Sequence, residues 1–162
     1  MKRTTVVRIL LGWQLAISPL FAADDNEHQH AHGAGEAQLQ DNRQVVHFPE
    51  QLRAHTLANM RHHLLTLQQI QEALAKGWFD KASEIAEQRL GLTSLKLHGA
   101  QEVAQYMPEG MQRIGTEMHK AASRFAIEAQ DASATGEIRP ALEALSRVTR
   151  QCVVCHSAYR FQ

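Results

Sequence analysis

Residues 136–162 read GEIRPALEALSRVTRQCVVCHSAYRFQ, and a helical period runs through them. Ile138, Leu142, Leu145, Val148, Cys152, Cys155 and Tyr159 recur at three- and four-residue steps, the spacing that lines side chains along one face of an α-helix. Gly136 stops whatever precedes it, and Pro140 falls in the first turn, where its missing N–H costs nothing. The stretch predicts a helix from Glu137 to about Tyr159, with Cys152-Val153-Val154-Cys155-His156 near its far end.

The same period continues upstream. Pro108 opens a segment whose stripe is Met111, Ile114, Gly115, Met118, Ala122, Phe125 and Ala129, closed by Gly136. Trp78 to about Leu90 repeats the pattern through Ala82, Ile85 and Ala86, continuing after a break at Gly91 towards Leu97. From Pro49 to Lys76, Leu52, Leu57, Met60, Leu64, Leu67, Ile70 and Leu74 form a long amphipathic stripe before Gly77. Leu97 to Tyr106, containing His98-Gly99-Ala100, has no clear period. Four helices with mostly short connections predict an all-α fold, an antiparallel four-helix bundle over residues 44–162. Gln44 to Phe48 reads as one extended stretch without a partner strand.

Residues 23–43 are polar, hold Gly33 and Gly35 and lack an apolar period, so they read as a flexible, histidine-containing tail. Met1 to Arg8 carries Lys2, Arg3 and Arg8; Ile9 to Ala22 is mostly apolar, and Leu20-Phe21-Ala22 precedes Ala23-Asp24-Asp25. That is the pattern of a secretory signal peptide over residues 1–22, cleaved after Ala22, with the periplasm as destination. Its apolar run is short of the roughly 20 residues of a membrane-spanning helix. The 162 residues balance 17 Lys+Arg against 17 Asp+Glu, and a neutral chain offers no footprint for nucleic acid. Losing three basic residues with the leader leaves 14 against those 17 acids, a balance of −3.

Cys152 and Cys155, the two cysteines of the chain, stand with His156 in the C-x-x-C-H pattern of c-type haem attachment. On a helix, residues three and four apart share a face, so both sulfurs and the imidazole reach one group: two thioether bonds to haem vinyls and one bond to iron. A thioredoxin-like disulfide wants C-x-x-C at a helix start beside a parallel sheet, and structural zinc wants a second ligand pair. Neither context is present in the sequence, and export agrees with haem attachment outside the cytoplasm.

The closing run Cys152-x-x-Cys155-His156-x-x-Tyr159-Arg160 resembles the class II c-type cytochromes, the cytochrome c′ and cytochrome c-556 family. The motif matches residue by residue, the rest of residues 49–162 in helix layout. The resemblance implies a bundle with one covalent haem c on the last helix, His156 as proximal iron ligand and Arg160 close to the haem. It places the sixth position on the first helix, where Met60, 17 residues before Gly77, is the candidate ligand. A rival register puts Arg53 one turn before Leu57, which then covers an open iron. His63, or its neighbour His62, would make the iron bis-histidine.

Met107, Met111 and Met118 have the spacing of a helix core rather than a copper site, and His98 and His119 are isolated in sequence and receive no role. His28, His30 and His32 with Glu27 are imidazole donors for Cu²⁺, Ni²⁺ or Zn²⁺ on a tail without fixed geometry. No catalytic constellation stands out, so the chain reads as a non-enzyme. A methionine-closed iron makes it an electron carrier between redox partner proteins; an open iron makes it a binder of NO or CO. Family resemblance also implies a homodimer through the first two helices.

Overall fold

A proline opens and a glycine closes each of the two longest helices. In the computed structural model, which describes residues 41–162, Pro49 caps α1 (Glu50–Ala75) and Pro108 caps α4 (Glu109–Thr135). Gly77 (φ +71°) and Gly136 (φ +76°) adopt the left-handed backbone that L side chains avoid. At the end of α1, Trp78 N–H donates to Ala73 O (2.8 Å) and Gly77 N–H to Leu74 O (3.0 Å), which satisfies carbonyls the helix leaves open. Between these helices lie α2 (Phe79–Arg89), a 3₁₀ turn (Leu92–Ser94) and the short α3 (Ala100–Ala104). The last helix is α5 (Arg139–Ala158), with Pro140 in its first turn. The chain is therefore mostly helical, and no helix among the described residues is long and apolar enough to cross a membrane. Residues 1–22, read as leader, and 23–40 of the tail read over 23–43 lie outside the described residues; of that tail's end, Asp41 and Arg43 are tied to each other and Arg43 to the His156 carbonyl.

Helix α4 packs against α5 and α2, and α1 against α2. Nine of the sixteen buried residues of the main apolar cluster are alanine, including Ala82, Ala86, Ala122 and Ala141, which lets helices approach closely around Phe125 and Ile70. A second cluster of Val46, Phe48, Val103 and Met111, flanked by Leu52, Met107, Cys155, Tyr159 and Phe161, sits where α5 ends. Met111 and Met118 are buried in the two clusters, in keeping with the core reading.

Two sequence expectations are corrected. The 44–48 stretch does find a partner: β1 (Gln44–Val46) pairs in parallel with β2 (Tyr159–Phe161), in register Gln44↔Tyr159 and Val46↔Phe161. Tyr159 accordingly turns extended and leaves the helix (φ −130°, ψ 149°), while Phe48 packs edge-on against Phe161 at 5.1 Å. The inward face of α1 is also rotated from the leucine stripe. Leu64 is 70% exposed and Leu52, Leu57, Met60 and Leu67 are half-buried, whereas Thr56, Asn59 and Thr66 are buried. The polar face can turn inward because its groups are bonded. Thr56 Oγ donates to Leu52 O (2.8 Å), Thr66 Oγ to His62 O (2.7 Å) and Asn59 Nδ2 to His98 O (3.0 Å). Leu142 of α5, expected inward, is likewise exposed.

Candidate cofactor attachment site

Cys152, Cys155 and His156 all lie within α5, so helical geometry keeps the three on neighbouring positions of one face. Both thiols are free and half-buried, and burial raises their pKa, so they stay protonated and weakly reactive at neutral pH. Cys155 rests on the second apolar cluster; the His156 side chain is exposed. Arg43 anchors this end of the helix: its Nη1 donates to His156 O (3.2 Å) while its Nη2 pairs with Asp41 Oδ2 (2.7 Å). The same Asp41 oxygen lies 3.4 Å from Arg160 Nε. Hydrogen bonds from Arg43 hold the Asp41 carboxyl well below the usual carboxylate range.

Two arginines here are under-used. Arg160 Nε is enclosed and, despite its ion-pair distance to Asp41, makes no hydrogen bond. Arg53 Nε on α1 is enclosed and unpartnered too, one residue from Leu52 of the cluster that holds Cys155. Leu57 and Met60, further along α1, are half-buried yet belong to neither packed apolar cluster of the described residues. Comparison with family models, curated proteins and solved structures returns no match.

Tyr159 closes the site against α4. A Cβ built on Gly110 lies 2.5 Å from Tyr159 Oη, so the tyrosine end occupies the space a side chain would need. Overpacking of this kind costs about 1–3 kcal/mol, while alanine returns up to about 1 kcal/mol of helix propensity. G110A is expected to destabilise by about 1–2 kcal/mol in urea unfolding, with Y159F restoring most of the loss by removing the colliding hydroxyl. Equal destabilisation in the presence and absence of Y159F would show that the contact is not the cause.

His63 is not alone. Its ring packs edge-on to His98 (centroids 4.6 Å) and 6.3 Å from His119, with His98 and His119 5.5 Å apart. His98 and His119 receive no role from sequence reading because they sit on separate segments; a cue was available in the Thr/Asn/His spacing 56-59-63-66, which is itself helical. Burial, reinforced by the neighbouring imidazoles, pushes His63 down to about 3 and His98 to about 4, and burial also lowers His119 against its carbonyl hydrogen bonds. The native state therefore holds these rings neutral, while the unfolded chain takes up their protons below pH 6.5. Folded pKa values below unfolded ones mean that stability is full above pH 6.5 and falls as pH drops from 6.5 towards 4. We expect a loss on the order of 2 kcal/mol for each ring held neutral from pH 7.5 to 5 in urea unfolding, and a correspondingly shallower loss in His63→Gln. Parallel slopes for the two proteins would show that His63 does not hold this dependence.

Proposed function

We propose that this chain is a periplasmic monohaem c-type cytochrome of the class II kind that carries electrons. In this reading α1, α2, α4 and α5 form an antiparallel bundle around one covalent haem, residues 1–22 direct export and residues 23–43 form a tail. The observation that carries it is Cys152-x-x-Cys155-His156 in the last turns of α5, with two half-buried free thiols, that of Cys155 against an apolar cluster. The residues present fit the group: enclosed Arg53 and Arg160 nitrogens without hydrogen bonds suit the acidic edge of a haem, and half-buried Leu57 and Met60 belong to neither packed apolar cluster of the described residues.

When bound, the haem supplies a one-electron iron couple. Cys152 and Cys155 would hold the group through two thioether bonds, each thiol adding its S–H across one vinyl, sulfur to one carbon and hydrogen to the next. His156 offers an exposed imidazole as proximal ligand, and Arg43 holds the helix end through the His156 carbonyl rather than through the ring. Met60 would supply a thioether as the second protein ligand to the iron, a donor that suits electron transfer to and from redox partner proteins. A second reading has one specific support, the half-buried Leu57 one turn beyond enclosed Arg53: an open iron that takes NO or CO. A pairing of two copies through α1 and α2 belongs to the same proposal.

Absorption spectra of the ferric and ferrous protein, with and without CO, test the reading. Low-spin bands indifferent to CO, with colour that stays on the denatured chain, are expected. Colour extracted by acid-acetone would remove covalent attachment, and a high-spin protein that binds CO would promote the gas-binding reading.

A further inference from the structure

His63, His98 and His119 come from α1, from the turn before α3 and from α4, and five segments of chain hold them together. The His98 carbonyl accepts from Asn59 Nδ2 (3.0 Å) and lies 3.1 Å from His55 Nε2, which ties its turn to α1. His119 Nδ1 lies 2.8 Å from the Leu90 carbonyl at the end of α2. A carbonyl only accepts, so Nδ1 carries the proton and Nε2 is left with a bare lone pair. Ser94 in the 3₁₀ turn fixes His98 in the same way. Its hydroxyl donates to Gly91 O (2.7 Å), so towards His98 Nδ1, at 3.4 Å, it offers an acceptor and again leaves Nε2 bare. His63 Nε2 is fully enclosed and has no hydrogen-bond partner. His98 and His119 are themselves buried, at 8% exposure each.

Three imidazoles are thus packed together, two with their Nδ1 atoms anchored on protein oxygens, and the third with an enclosed nitrogen that nothing satisfies. Carbonyl or hydroxyl oxygens bonded to the outer nitrogen are what orient histidines around a metal ion. Imidazole nitrogens bind a divalent ion at about 2.0–2.1 Å, which sets ring centres about 5 Å apart around one ion. The observed 4.6, 5.5 and 6.3 Å bracket that spacing. We propose that His63, His98 and His119 form a second metal site, separate from Cys152-Cys155-His156, that takes one divalent transition-metal ion favouring imidazole, of which Zn²⁺ is the probe. As they stand, no three His, Cys, Asp or Glu side chains among the described residues are arranged to hold an ion. The ion is therefore received by a turn of the His63 ring, which no hydrogen bond from its enclosed Nε2 holds in place. Three neutral ligands leave a fourth position for water or an anion.

Zn²⁺ titration by calorimetry tests this on the protein as isolated, with His28, His30 and His32 replaced by Gln to remove the tail donors. One saturable equivalent and a raised thermal midpoint are expected. His98→Gln and His119→Gln should abolish the binding, and Ser94→Ala should weaken it about ten-fold by freeing the His98 ring. Absence of a saturable equivalent, or binding indifferent to His98→Gln and His119→Gln, overturns the proposal. Should those variants fail to fold, zinc-edge X-ray absorption on the Zn²⁺-loaded parent decides: three imidazole nitrogens are expected, and two or fewer overturn it. The readout is zinc, so the proposal fails or stands apart from any iron held by Cys152, Cys155, His156 and Met60.

Discussion

Replacing both Cys152 and Cys155 by Ser is expected to give a chain that holds no haem through denaturation and that folds only marginally. Serine hydroxyls do not form the thioether bonds, and His156, exposed at the end of α5, is left as a single weak anchor. The stability cost comes from α1. Leu57 and Met60 lie outside both packed apolar clusters, and covering an apolar side chain of this size is worth roughly 1.5–3 kcal/mol at full burial. Both are already half-buried, so uncovering them costs on the order of 1.5–3 kcal/mol, to which the enclosed Arg53 and Arg160 Nε atoms, left without a hydrogen bond, add. Against a domain stability of about 5–15 kcal/mol this brings the variant near its threshold. Thermal unfolding followed by circular dichroism, with mass spectrometry for the attached group, measures both parts. A double variant that unfolds at the parent midpoint would mean that nothing bound at the cysteines contributes to the fold.

Met60→Ala has the second large effect. With the thioether as sixth ligand, the parent is low-spin and inert to CO; the variant becomes high-spin and binds CO to completion. Its reduction potential falls, because a thioether favours ferrous iron. Leu57→Ala in the same protein leaves the bands in place and costs about 1–2 kcal/mol, less than a core leucine because the side chain is only half-buried. Inverted results, with CO access controlled by Leu57 and indifferent to Met60, replace the electron carrier by the gas binder. A spectrum that survives Met60→Ala and collapses in His63→Ala assigns the iron to two histidines and takes His63 away from the zinc site proposed above.

What the sequence determined by itself was local. Pro49, Gly77, Pro108, Gly136 and Pro140 mark helix ends because their backbone preferences act within one turn, and the helices begin and end within a residue or two of them. The Cys152-Cys155-His156 spacing is equally local, since i, i+3 and i+4 need only a helix to share a face. What lay beyond it was decided between segments far apart in the chain. Period alone pointed to the leucine stripe of α1, and the polar face beside it turned inward because Asn59 meets the His98 carbonyl and Thr56 and Thr66 close their own bonds. The partner of β1 lies at the other end of the domain, in residues that also continue a helical pattern; pairing with Gln44–Val46 is what ends α5 at Ala158. His63, His98 and His119 each look solitary in sequence, and their meeting depends on how α1, the α2 end and α4 pack. Periodicity records which faces are apolar, but which faces meet follows from hydrogen bonds and close packing between elements, and those exist only once the chain has folded.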